Sequence, residues 1–474
     1  MCPSGPRPPR NRSPENRRPP ARALRVRALS LCAALIVAAP AGAEPPKTPV
    51  PPNVPLALSV RQEVAGRETR LIFSLGACVG ADSHVLESPS RAIVDLPEVN
   101  FQIDPQVGLA QAAHSSHHRH GRHIAGNPAP ASVPSGSLVA SYRFGRLAPG
   151  KSRIVVDLAG PAEIAASCAP APDGGFELIL ALKPQDEVAF QTAARAGAEM
   201  QARAGAGAET PPEKPASAPT PSSAAEKPTI VLDPGHGGVD AGALGRDHAV
   251  EKFIVLDFAR ALAAKLREGD RYTVVLTRED DTFVPLGVRV RMARRLGAAL
   301  FVSLHADALA SDSAGVRGAT VYTVSDRASD AEAGRVAEHE NKADAEAGVE
   351  AKEDASDVND ILFDLTRRET RAYSHVFAHS LAEYWKVAAH LNKNPRRSAG
   401  FVVLKAPDVP SALLELGYLS NAADAADLTS PDWREKAAAQ VARAIDAFFA
   451  AQAADKSPAA PGEPALKATQ SSGN

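Results

Sequence analysis

Apolar and polar positions follow two different rhythms along this chain. Between Ala57 and Leu182 they alternate in short runs. TRLIFSL (69–75), SRAIVDL (90–96), SRIVVDL (152–158) and FELILAL (176–182) each change face every second residue and are separated by turn-forming residues. That period predicts strands, and no stretch between them carries helical spacing. Residues 55–185 therefore read as a small all-β, sandwich-like domain. From Thr229 the rhythm changes. TIVLD, YTVVLT, ALFVSLHA, ATVYTV and SALLELGYL are nearly continuous apolar strands. Between them Glu251–Leu266, Val288–Leu296, Arg371–Leu391 and Trp433–Ala450 have apolar residues at helical spacing. Such an alternation predicts an α/β domain over 229–453, a mostly parallel sheet with helices on both faces.

Composition supplies the boundaries. The chain has 474 residues and 40 prolines, and the prolines cluster. Residues 44–54 read as a Pro-rich linker, residues 186–228 as an Ala/Pro-rich linker, and residues 454–474 as a disordered tail. One stretch interrupts the α/β rhythm: residues 325–368 form an acidic insertion, with thirteen Asp or Glu against four Lys or Arg in 326–364. Its pattern predicts a helix around Asp330–Asp344, and an insertion of that length in a compact domain is functional or disordered.

Charge and cysteine usage narrow the setting. The net charge of −2 hides an asymmetry, because residues 1–27 carry +7 and the remainder −9. The basic start, the apolar run Ala28–Ala39 and the triplet Ala41-Gly42-Ala43 together make an export signal over 1–43, too short for a permanent membrane anchor. An acidic mature chain excludes a general nucleic-acid binder. Cys78 and Cys168 would remain after export, either as a pair or as two buried thiols. The His-rich run at 114–123 reads either as a metal-binding tract or as a solvated loop.

Open α/β sheets carry their chemistry beyond the carboxyl ends of the strands. His236 follows TIVLD through Asp233-Pro234-Gly235, His305 ends LFVSLH, Glu415 lies near the end of SALLEL, and Glu251 opens the first helix. Two imidazoles and a carboxylate suit one zinc ion with an open fourth position, and a further carboxylate can move the proton of an attacking water. No short ligand motif is present, so each residue also has a plain structural alternative: a turn or core histidine, or a carboxylate in an ion pair.

IVLDPGHGGVDAGALG, EKFIVLDFARAL, LFVSLHADA and SALLELGYLSN, in this order, resemble the zinc N-acetylmuramoyl-L-alanine amidases of the AmiC type. The resemblance implies that His236, Glu251 and His305 are zinc ligands and that Glu415 is the catalytic glutamate. It implies an AMIN-like, peptidoglycan-binding domain at 55–185. The protein would then be a periplasmic monomer that splits septal cell wall during daughter-cell separation. The acidic insertion resembles a helix that covers the active site, with Glu332 as the carboxylate occupying the open zinc position until a LytM-domain activator removes it. A cell-wall scaffold with a vestigial site, or a different zinc hydrolase on the same fold, is the alternative.

Overall fold

The computed structural model describes residues 54–109, 136–207, 227–245, 248–309, 315–349 and 361–456. The expected export signal, the His-rich run and most of the expected 454–474 tail lie outside the described residues, although the closing helix continues to Lys456.

The alternating N-terminal segments fold as two sheets. One has the order β5-β1-β2-β9-β8, with β1 Leu56–Ala65, β2 Glu68–Leu75, β5 Asn100–Phe101, β8 Ala162–Pro170 and β9 Phe176–Pro184. The other has the order β3-β4-β7-β6, with β3 Asp82–Leu86, β4 Arg91–Pro97, β6 Val139–Ala148 and β7 Lys151–Leu158. A one-turn helix, α1, spans Gln106–Leu109. Leu71, Phe73 and Leu75 of β2 meet Ala92, Val94 and Leu96 of β4 and Ile154 and Val156 of β7 between the sheets. Cys78 and Cys168 form a disulfide.

Alternation predicts a wet outer face for each sheet. On β4 and β7 that expectation fails. Ile93 and Val155, pointing away from the sandwich core, are fully buried in a second cluster with Leu86, Val239, Phe283 and Ala347. Those last three belong to the C-terminal half of the chain, which covers this face.

The linker expected over 186–228 is corrected in its first half. Residues Glu187–Gly207 form a helix, α2. Alanine is the best helix former, and a composition rich in Ala and Glu reads equally as linker or helix. Docking decides between them. Phe190 and Ala194, one turn apart, are buried on the sandwich, and Ala198 follows one turn later. Burying Phe190 alone contributes roughly 2 kcal/mol.

The α/β domain has one six-stranded sheet in the order β11-β10-β12-β15-β13-β14. Its strands are β10 Thr229–Pro234, β11 Thr273–Leu276, β12 Leu300–His305, β13 Ala319–Val324, β14 Leu391–Ala399 and β15 Ser411–Glu415. All neighbours are parallel except β13 and β15, so the sheet is mostly parallel but mixed. Side chains alternate between two cores. Ile230, Leu232, Val302 and Leu414 face α3 (Glu251–Glu268), α7 (Ile361–Trp385) and α9 (Pro431–Lys456) through Phe258, Phe377, Trp385 and Phe448. Val231, Phe301, Tyr322 and Leu413 face α4 (Leu286–Arg295) and α5 (Ala331–Glu340) through Ala293, Val336 and Ala337.

Two expectations shift here. The helix expected over Arg371–Leu391 starts and ends earlier, at Ile361 and Trp385. Leu391 instead opens β14, whose sequence LNKNPRRSA shows no apolar alternation. A strand at a sheet edge tolerates Pro and basic residues that a central strand would reject, so its polar sequence hid it.

Within the insertion, α5 is followed by a short helix α6 (Ala343–Glu346), while α8 (Ala422–Leu428) follows β15. Asp330 caps α5 by accepting a hydrogen bond from the Ala333 amide at 2.9 Å. The buried positions of α5 are Ala333, Val336, Ala337 and Glu340, a stripe at i, i+3, i+4 and i+7.

Candidate metal centre

Four elements bring four side chains to one point beyond the carboxyl ends of the sheet. β10 ends in a turn where His236 takes a left-handed φ of 58°. Few non-glycine residues adopt that conformation, and it persists only where the surroundings hold it. Here they are a buried guanidinium and an open cradle. Arg289 donates to the His236 carbonyl at 2.8 Å, to the Pro234 carbonyl at 2.9 Å and to Asp233 at 2.8 Å. Gly242 supplies the cradle, because a Cβ there would lie 2.6 Å from the His236 ring and 2.7 Å from Glu251. Only glycine leaves room for both.

Glu251 is the first residue of α3 and is fully buried. Its two oxygens each accept a backbone hydrogen bond at 2.7 Å, one from Ala243 and one from Ala306. Its position in the first helical turn also suits a negative charge. The carboxylate is thereby fixed between the imidazoles, 3.2 Å from His236 Nε2 and 3.3 Å from His305 Nδ1. His305, at the end of β12, pairs in register with Glu415 at the end of β15.

The fourth side chain comes from the insertion. Glu340 Oε2 lies 3.0 Å from His305 Nδ1 and 3.5 Å from His236 Nε2. The four groups His236, Glu251, His305 and Glu340 offer ligand atoms within 4.8 Å of one another, all buried. His236 Nε2 and His305 Nδ1 have no hydrogen-bond partner. Buried ring nitrogens without partners are costly, and two of them converging with carboxylate oxygens is the donor set a divalent cation satisfies. The residues present fit such an ion.

Glu332 does not reach this point. It sits in the first turn of α5 and pairs with Arg397 at 3.1 Å. Glu340, eight residues and about 12 Å further along the helix axis, stands at the place expected of Glu332. The error lies in register. Glu340 belongs to the stripe of Ala333, Val336 and Ala337, and Glu332 does not.

Charge in the cluster is strongly coupled. Burial opposes ionisation of Glu251, but the imidazoles of His236 and His305 outweigh it and hold its carboxyl well below the usual range. The same competition holds Glu340 low. Burial would lower the His305 imidazole, yet Glu340 and Glu251 push it up to about 10. Glu415 goes the other way. Burial pushes its carboxyl well above the ordinary value, aided by Asp307, Glu251 and Glu340 against His305. Glu415 Oε2 accepts from the Asp307 amide at 3.2 Å, while Oε1 has no partner. It stands beside the cluster without joining it, a buried carboxyl whose affinity for protons is raised.

Three supporting residues escaped the sequence reading. Asp240 accepts from the Gly242 amide at 3.0 Å and lies 2.9 Å from His236 Nδ1, orienting the ring so that Nε2 points inward. Arg289 and Arg278 hold the loop backbone, Arg278 through the Pro234 and Gly235 carbonyls at 3.0 and 2.7 Å. Asp240 lies four residues beyond His236 in the Gly-rich turn, a spacing that flags it. The two arginines lie in sequence far from the histidine, and only the fold brings them to it.

Comparison with known proteins places this arrangement. The pattern of the N-acetylmuramoyl-L-alanine amidase family matches residues 230–447. The N-acetylmuramoyl-L-alanine amidase AmiC of Neisseria meningitidis serogroup B is 32% identical over 386 residues, covering 80% of this chain and 87% of that protein. The AmiC of Escherichia coli O6:H1 is 30% identical over 398 residues, covering 83% and 89%. The AmiA of Escherichia coli K12 is 37% identical over 234 residues, covering 49% of this chain and 80% of that protein.

Proposed function

This chain belongs to the N-acetylmuramoyl-L-alanine amidases, and from that premise we propose that it is a zinc-dependent enzyme held in an inhibited state by its own inserted helix. Its substrate is peptidoglycan. The bond cleaved is the amide between N-acetylmuramic acid and L-alanine. The observation that carries the zinc reading is the convergence of two partnerless ring nitrogens, His236 Nε2 and His305 Nδ1, on the Glu251 carboxylate.

His236, Glu251 and His305 would hold one zinc ion. When bound, the metal supplies Lewis acidity toward the scissile carbonyl and activates the attacking water. Glu415 handles the proton. Its partnerless Oε1 accepts it from water, and its raised affinity for protons suits their return to the departing L-alanine nitrogen. Asp240 keeps His236 in the tautomer that presents Nε2. Glu340 would be a fourth donor to that ion and would thereby exclude substrate and water. Activity then requires α5 to leave, which is the step a LytM-domain activator would drive.

We place the enzyme in the periplasm at the division septum, exported by the signal at 1–43. The sandwich at 55–185 would serve as the AMIN-like peptidoglycan-binding domain. Among the described residues no helix is long and apolar enough to cross a membrane.

The test is Glu415→Gln. Release of dye from labelled sacculi should fall by about 10²-fold or more, as loss of a positioned proton carrier does, while zinc content stays at one per chain. Retained release in that variant would remove Glu415 from the role.

A further inference from the structure

The inserted segment is gripped from two sides, and the second grip comes from the N-terminal domain. α5 rests on the α/β domain's own core through Ala333, Val336 and Ala337. The residues after it rest on the sandwich. Arg153 of β7 donates to the Gly348 carbonyl at 2.7 Å and to the Ala347 carbonyl at 3.3 Å, while its other nitrogens bind Asp95 at 2.6 and 2.9 Å. Arg91 of β4 donates to the Ala345 carbonyl. Arg143 of β6 pairs with Glu346 at 3.2 Å. Gln201 of α2 donates to the Gly348 carbonyl at 2.9 Å.

These contacts answer a backbone requirement. The last carbonyls of a helix have no partner inside it, and cationic donors satisfy them well. Three arginines of one sheet are directed at residues 345–348. Shape agrees with charge. Gly348 has a left-handed φ of 65°, and a Cβ there would come within 2.5 Å of Ile93. Ala347 is fully buried in the cluster that contains Ile93 and Val155. The outward apolar positions of β4 and β7 are therefore occupied by the inhibitory segment.

We propose that the outer face of the four-stranded sheet, with α2 at its edge, is a docking surface for residues 343–349 and acts as a clasp that keeps Glu340 in the active site. Glu340 is the last residue of α5, five residues before the first clasped carbonyl, so it cannot swing out freely while 345–348 are held. The N-terminal domain is thus part of the off-switch. This inference rests on the reading that Glu340 inhibits, and the experiment separates the two.

The full chain is compared with Arg153→Met, Gln201→Ala, Glu346→Gln and, as a control on the inhibition itself, Glu340→Gln. Two quantities are read: dye release from labelled sacculi with zinc and no activator, and hydrogen exchange of amides in 331–349. The clasp predicts that Arg153→Met raises basal release by about tenfold or more and speeds exchange in 331–349, with smaller changes in the same direction for Gln201→Ala and Glu346→Gln. Gln201 and Glu346 are half-buried and lie outside the sandwich core, so their variants stay informative if Arg153→Met fails to fold. Unchanged exchange and release in the clasp variants, with release raised in Glu340→Gln, overturns the clasp and spares the inhibition. Unchanged release in Glu340→Gln overturns the inhibition, and exchange in the clasp variants then judges the docking surface alone: unchanged exchange overturns it.

Discussion

Glu340 Oε2 lies 3.0 Å from His305 Nδ1, closer than Glu251 lies to the same nitrogen. A residue contributed by an insertion thus completes a cluster otherwise built from strand ends and a helix start. Replacing it should free the fourth position. Glu340→Ala is expected to raise basal release from labelled sacculi by about tenfold or more, the shift produced when a minor open state loses its competitor. Glu332→Ala removes only the pairing with Arg397. Its effect should be several-fold smaller. Equal effects of the two substitutions in the dye-release assay would contradict the register of α5.

Asp240 works through His236. Asp240→Asn keeps the size of the side chain but removes the charge that orients the ring. Zinc affinity, measured by competition with a chromophoric chelator, should fall by about 10- to 100-fold, the usual penalty for losing the partner of a ligating histidine. Unchanged affinity would mean that the backbone alone sets the ring.

Arg289 is buried and ties the Asp233–His236 loop to α4. Arg289→Ala leaves Asp233 buried beside Thr277 and Ser303 without its countercharge. Removing one member of such a pair costs about 3–5 kcal/mol. The denaturant midpoint should drop accordingly, and a drop of under about 1 kcal/mol would place the loop's stability elsewhere.

Removing the metal with a chelator exposes the cluster's own charge balance. His305 and His339 are both raised to about 10 in the folded chain, His305 by Glu340 and Glu251 against burial, His339 first by its bond to Glu340. A group whose folded value is raised stabilises the fold fully below its unfolded value, roughly 6.5 for histidine, and loses that contribution as pH rises through the folded value. The melting temperature of the metal-free chain should therefore fall between about pH 7 and pH 10. In Glu340→Gln the fall should be shallower, because the carboxylate that raises both imidazoles is gone. Parallel melting curves for the two chains across that range would refute the coupling.

The alternating N-terminal strands, all but one of the strands of the α/β domain and the side chains at their carboxyl ends were legible because each rests on local chemistry. Apolar period distinguishes strand from helix, and Gly-rich turns mark where a side chain is presented. His236, Glu251, His305 and Glu415 stand at such places, and the fold brings the first three within reach of one ion while Glu415 stands beside them. What stayed hidden depends on partners distant in sequence. The edge strand β14 has no apolar alternation because only one neighbour holds it. Helix α2 looks like linker until Phe190 finds the sandwich. Glu332 and Glu340 are both acidic residues on one predicted helix, and local pattern does not say which face the core will cover. Tertiary packing chose that face by burying Ala333, Val336 and Ala337, and the same rotation carried Glu340 to the histidines and left Glu332 with Arg397.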